Sequence, residues 1–170
     1  HGAVIAREYG LTAVVGVACW TAARHPAVFV RFRSLFAVAQ LLTIAVFLAV
    51  PVAPPRLLVG DGAHPPGWAR SVQYELAAMP SGHVVFALVV GIAACATGTC
   101  TGRVVGLVHV AVTVLVVVVT GHHLLADAAG AALVVVAATG LVRLAGWRRG
   151  EPVGRWVSGR RLSGGVARSR

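Results

Sequence analysis

The sequence has no lysine, so all fifteen of its basic residues are arginine, and only five acidic residues stand against them, leaving a formal charge of +10. Its three cysteines, Cys19, Cys95 and Cys100, form no CxxC pair. At least two of them sit inside apolar stretches, where a thiol packs as a small hydrophobe, so neither a cysteine metal site nor a disulfide framework is called for. There is no HExxH or other local pair of ligands, the usual sequence sign of a catalytic zinc site. No internal repeat is visible, and the first apolar stretch lacks the charged start and small-residue cleavage site of a signal peptide. The chain opens on His1 rather than Met, and we read it as a fragment missing its N-terminus.

Charge is scarce in another sense. Only 12% of the residues are charged while 58% are apolar, and the mean hydropathy is +0.83, too oily for a soluble fold of this length. The solvent for most of the chain is therefore lipid. The basic excess does not point to nucleic acid. Seven arginines lie between Arg148 and Arg170, beyond the last apolar run, which suits a juxtamembrane tail on anionic headgroups rather than a surface that reads bases.

A bilayer core takes roughly 20 apolar residues per helix, and five candidate spans stand between polar or Pro/Gly-bearing breaks. The first covers about Gly10 to Ala23, and the second runs from Leu35 to Val52, ended by Pro51, Pro54 and Pro55, since proline cannot extend a helix and restricts the residue before it. The third opens after Pro80 and reaches about Thr97. The fourth, Val104 to Thr120, is nearly continuous Val, Leu and Ala, and the fifth runs from near His123 to about Trp147. The expected fold class is all-α, a polytopic transmembrane helical bundle over residues 1–147, followed by a basic, disordered tail over 148–170. Alternating the spans puts the 24–33 loop, the turn from Gly98 to Arg103 and the C-terminal tail on one side. Counting Arg143, that side carries twelve arginines, against Arg56 and Arg70 in the 53–79 loop. The positive-inside rule makes the arginine-rich side cytoplasmic, so the 53–79 loop and the starts of the third and fifth spans face outward together.

Two polar clusters stand at those outward helix starts, Pro80-Ser81-Gly82-His83 and His122-His123-Leu124-Leu125-Ala126-Asp127. Ser81 is a good N-cap, and free amides at a positive helix end make a natural anion site, phosphate included. Gly82 lets a ligand approach the backbone closely. His123 and Asp127 are four apart, so on a helix they share a face, and the carboxylate can hold the imidazole in one tautomer. A histidine so held serves as nucleophile or base, and a second one facing it serves as acid. Asp127 one turn inside an apolar helix is costly in lipid and marks a functional site by default. Arg56, after the rigid Pro54-Pro55, has a guanidinium fork suited to phosphate; Arg70 offers the same from a looser loop. His109, mid-span, reads as a packing or hydrogen-bonding residue.

With these residues placed, the chain resembles the type 2 phosphatidic acid phosphatase superfamily, whose second motif is Pro-Ser-Gly-His and whose third ends in His-x-x-x-Asp. Here they are Pro80 to His83 and His123 to Asp127, in the right order and one helical hairpin apart, within a resemblance spanning about Leu35 to Trp147. The resemblance implies a six-helix core, of which five helices are visible. It also implies a cofactor-free, metal-independent reaction on a membrane lipid phosphate of the phosphatidic acid or polyprenyl phosphate class. His123 would attack phosphorus to form a phosphohistidine, Asp127 would orient it, His83 would protonate the leaving group, and Arg56, Ser81 and Gly82 would bind phosphate.

Two departures narrow the likeness. The family's first motif, a Lys followed seven residues later by Arg-Pro, is absent, and the Ser-Arg before the third-motif histidine is replaced by Val116 and Val117. With the Ala-Pro-Pro-Arg stretch and Thr120-Gly121-His122-His123, they look like the branch that includes inositol phosphorylceramide synthases and related actinobacterial membrane proteins, where the phosphoryl or phospho-headgroup passes to an alcohol. A non-catalytic membrane scaffold is the remaining class. The arginine-only, Ala/Val/Gly-rich composition fits a bacterial plasma membrane protein. Deleting residues 148–170 is expected to weaken flotation with anionic liposomes and leave flotation with neutral ones unchanged; equal flotation of both chains would remove the tail from lipid binding.

Overall fold

The computed structural model describes residues 2–50, 79–120 and 123–148, and among them every regular element is an α-helix. They are α1 (Gly2–Arg24), α2 (Pro26–Ala49), α3 (Gly82–Ala96), α4 (Cys100–Val119) and α5 (Leu125–Arg148). Among the described residues three helices are long and apolar enough to cross a membrane, α2, α4 and α5 over Leu125–Gly146. The surface agrees with that environment. Val104, Val105, Leu107, Val108, Leu115 and Val119 of α4 and Leu133, Val136, Leu141 and Leu144 of α5 all point outward, an apolar exposure that water would penalise and lipid tails accept. The protein is a helical membrane bundle.

The expected loop over 24–33 is instead almost all helix. His25, at φ −140° and ψ 62°, is the single residue between α1 and α2, and Pro26 opens α2. Proline suits a first helical position because the amide it lacks would have no partner in the helix anyway. The His25 N–H donates to the Thr21 carbonyl at 2.8 Å, and the His25 carbonyl accepts from Val28 and Phe29, so the corner is closed by backbone bonds. The arginines at 31 and 33 thereby move from a loop onto the first turns of α2.

Helix α3 is the hub, packing against each of the other four. Its buried residues, Val84, Val85, Ala87, Val89, Val90, Gly91, Ala93 and Ala94, lie on all sides, as a helix apolar all round requires. Phe86 packs on Phe36 of α2 with ring centroids 5.6 Å apart. Helix α5 sends the stripe Ala131, Val134, Val135 and Ala138 into the same core, and Asp127 continues that stripe one turn toward the helix start.

The α3–α4 hairpin is the tightest contact. Gly98, at φ +75°, makes the turn in a conformation open mainly to glycine, and the Thr99 side chain caps α4 by accepting from the Gly102 N–H at 3.0 Å. Beyond the turn a Cβ on Gly106 would sit 2.8 Å from the Gly91 carbonyl oxygen, and one on Gly102 would sit 2.5 Å from the Ala94 carbonyl oxygen. Gly102 and Gly106 are a small-xxx-small pair of the kind that lets membrane helices approach backbone to backbone. Substituting Gly106 by alanine is expected to cost roughly 1–3 kcal/mol, the usual range for overpacking. Gly140→Ala, where a Cβ meets nothing within 4 Å, should be neutral or better; thermal unfolding of the two variants in one detergent compares them.

Candidate active site

Helix α3 has 15 residues against 20 in α4, so with the two joined at the Thr97–Thr99 turn, α3 starts about 7 Å short of the far end of α4 at 1.5 Å per residue. His123 lies beside the last turn of α4, where its N–H donates to the Val117 carbonyl at 3.1 Å. The start of α3 is tied to α5 by a second backbone bond, from the Ser81 N–H to the Asp127 carbonyl at 3.2 Å. Two helix starts are thus stitched side by side at one end of the bundle.

At the first of them, Ser81 is fully buried and its hydroxyl accepts from the Val84 N–H at 3.5 Å. The serine hydroxyl is spent on capping, and the Gly82 and His83 amides head the same turn. A Cβ at Gly82 would meet nothing within 4 Å among the described residues, so there is room beside this backbone for another group. At the second start, Asp127 is 3% exposed. Its Oδ2 accepts from the Leu124 N–H at 2.8 Å and lies 3.3 Å from His123 Nδ1.

This geometry differs from two residues on one helical face. His123 precedes α5, and Leu124 stands at the position where the carboxylate, three residues on, reaches back to cap the amide. The helix start therefore makes a buried carboxylate tolerable, through one amide bond and the positive end of the helix dipole, and the same oxygen then holds the imidazole. The sequence spacing was compatible with the His123–Asp127 pair; the Leu124 amide that fixes it carries no residue-type signal.

His83 and His123 face each other with ring centroids 6.0 Å apart and planes at 60°. With Nδ1 of His123 on the carboxylate, Nε2 is the nitrogen on the opposite side of the ring. Ser81, Gly82, His83, His123 and Asp127 thus come together, while Arg56, Arg70 and His122 lie outside the described residues. His109 is in mid-α4, on a helix whose main neighbour is α3. Among the described residues no group of three or more His, Cys, Asp or Glu side chains is spaced to hold a metal ion.

The model of one protein family, the PAP2 superfamily, matches residues 6–141, a range that holds both helix starts. No curated protein and no solved structure matches the chain. Asp127→Ala takes the carboxylate cap from the Leu124 amide and is expected to lower stability by about 1–2 kcal/mol. Asp127→Asn keeps an acceptor oxygen and should recover most of that loss; thermal unfolding separates the two variants independently of any activity.

Proposed function

The chain belongs to the PAP2 superfamily, and from that premise we propose that it hydrolyses a phosphate ester of a membrane lipid through a phosphohistidine on His123. Membership supports phosphoester chemistry of the phosphatase type. The observation that carries the finer reading is the pair of imidazoles 6.0 Å apart, one of them with its Nδ1 on a buried carboxylate.

In this reading Nε2 of His123 attacks phosphorus as the bond to the lipid alcohol breaks, and Asp127 stabilises the charge that develops on the ring. His83, on the other side of the phosphoryl group, gives its proton to the departing alkoxide. Water, deprotonated by the now neutral His83, then attacks the same phosphorus, the P–N bond breaks, and phosphate leaves. Ser81 serves phosphate binding by holding the helix start, where the amides of Gly82 and His83 and the space beside Gly82 receive the oxygens. Arg56 is the cation we assign to the phosphate, supplying the fork that the absent Lys and Arg-Pro motif would otherwise provide. The arginine asymmetry, twelve against Arg7, Arg56 and Arg70, supports an extracytoplasmic site with the C-terminus in the cytoplasm.

The departures from the family's motifs favour one second reading, transfer of the phosphoryl or phospho-headgroup to an alcohol, as in inositol phosphorylceramide synthase-like enzymes. The two share the covalent step and differ in what resolves it. Phosphate release from a panel of lipid phosphates in detergent with EDTA is expected from the parent chain and lost by at least a hundredfold in His123→Ala and His83→Ala. An acid-labile phosphoryl label on His123 is expected in the parent. Headgroup exchange without net phosphate release selects the transferase, and release abolished by EDTA would overturn the mechanism in favour of a metal site.

A further inference from the structure

Among the described residues the fold leaves one buried side-chain polar atom without a hydrogen-bond partner, the Nε2 amide of Gln40 in the second half of α2. Polar side chains elsewhere in the helices do not share that condition. Thr21, Thr43, Thr113 and Thr139 each give their hydroxyl to a carbonyl four residues earlier, at 2.7 to 2.8 Å. A buried donor with no acceptor costs more than a typical bond gains, and in a native protein it calls for a water, an ion or a ligand that completes it.

The register of the helices places this amide beside the histidines. Helices α2 and α3 run antiparallel: Phe32 and Leu35 of α2 line one crevice with Val89 and Ala93 of α3, and one turn farther along α2, Phe36 packs on Phe86 with ring centroids 5.6 Å apart. Gln40 is four residues beyond Phe36, and His83 is three residues before Phe86. Each therefore lies on the face of its helix that carries the phenylalanine, about 6 Å and about 4.5 Å nearer the site end. Side chains on a helix lean toward its start, which tilts Gln40 toward the middle of the bundle and His83 toward its end. The amide thus lies on the mid-membrane side of the His83 ring.

That side is where the lipid alcohol belongs if His83 gives its proton to the departing alkoxide. The Nε2 group only donates, so it needs an acceptor oxygen from the ligand. Next to its phosphate a glycerolipid carries the carbonyl of an acyl ester, whereas a polyprenyl phosphate carries only hydrocarbon there and leaves the donor unpaired. A site built to bond a substrate group rejects an analogue that lacks it far more strongly than it rejects a change of one methylene.

We propose that Gln40 is a specificity-determining residue, its Nε2 donating to an acyl-ester carbonyl oxygen of a glycerolipid phosphate and so selecting such lipids over polyprenyl phosphates. The assignment rests on the reading of His83 and His123 as the phosphate site and is indifferent to whether water or an alcohol resolves the intermediate.

The test uses the full chain in detergent with two phosphatidic acids that differ only in linkage, diacyl and dialkyl, the second lacking the carbonyl oxygen. Binding is read on His123→Ala, which cannot turn the lipid over, and phosphate release is read on the parent. The diacyl lipid is expected to bind His123→Ala about tenfold more tightly than the dialkyl lipid, a difference of one buried hydrogen bond, and the two affinities should become equal when Gln40→Met is added. Gln40→Met by itself should keep or raise the thermal unfolding midpoint, since it removes an orphaned donor; Gln40→Leu is the second variant should the methionine chain not fold. Release by the parent should show the same diacyl preference in kcat/KM, lost in Gln40→Met, with release from a polyprenyl phosphate undiminished. Failure of both lipids to bind, equal affinity in His123→Ala, or a preference that survives both Gln40 substitutions overturns the proposal. So does a lowered midpoint in Gln40→Met with the diacyl-to-dialkyl ratio unchanged, the mark of a structural water on the amide. A Gln40-dependent diacyl preference in binding, with no phosphate release by the parent, supports the assignment of Gln40 and overturns the hydrolytic reading alone.

Discussion

The Asp127 carboxylate is buried in the first turn of α5, where it accepts from the Leu124 N–H at 2.8 Å and meets His123 Nδ1 at 3.3 Å. An isolated carboxylate in an apolar bundle would be neutralised or expelled. It persists because the start of a helix supplies an amide donor and a positive dipole end at that point. The imidazole orientation follows from it, and the main-chain carbonyl of the same residue accepts from the Ser81 N–H, which sets the second helix start beside the first. A single side chain is therefore the cap of a helix and the partner of the proposed nucleophile, and these roles separate only under substitutions that keep one and lose the other.

The remaining architecture holds that junction in place. Helix α3 is too short to span a bilayer core by itself at about 22 Å, and it is covered by the four other helices. Its close contact with α4 through Gly91, Gly102 and Gly106 holds the two backbones in a fixed offset, and His123 is bonded to the last turn of α4 through the Val117 carbonyl. Under the proposed function, this junction is where a lipid phosphate would be received. The same antiparallel arrangement brings the start of α2 and the end of α5 together at the other end, where both line one crevice. Between the two ends the core is packed largely with Val and Ala.

Much of this was legible in the chain. Five helical segments, their order, the Pro80–His83 and His123–Asp127 clusters and their meeting at one end all follow from apolar run lengths, proline breaks and the parity of membrane crossings. Those are local or additive properties, and lipid makes them strict because each span must satisfy its own backbone. Segment ends were less legible. The 24–33 stretch reads as a loop because it carries three arginines and a proline, yet it is helical from Pro26, since arginine is a good helix former and proline at a first position costs nothing.

Pairwise geometry was not legible. The Gly102-x-x-x-Gly106 spacing is visible in the sequence, but which helix it faces depends on the partner surface. The Leu124 amide that secures Asp127 is a backbone group, identical at every non-proline position, and no residue type announces it. By itself the sequence determined that the chain is a bundle of apolar helices and which polar clusters stand at their starts, because those depend on transfer free energies and side-chain types. Only the tertiary structure decided the 6.0 Å between the two imidazoles and the close α3–α4 contact, because these depend on how closely one helix packs against another.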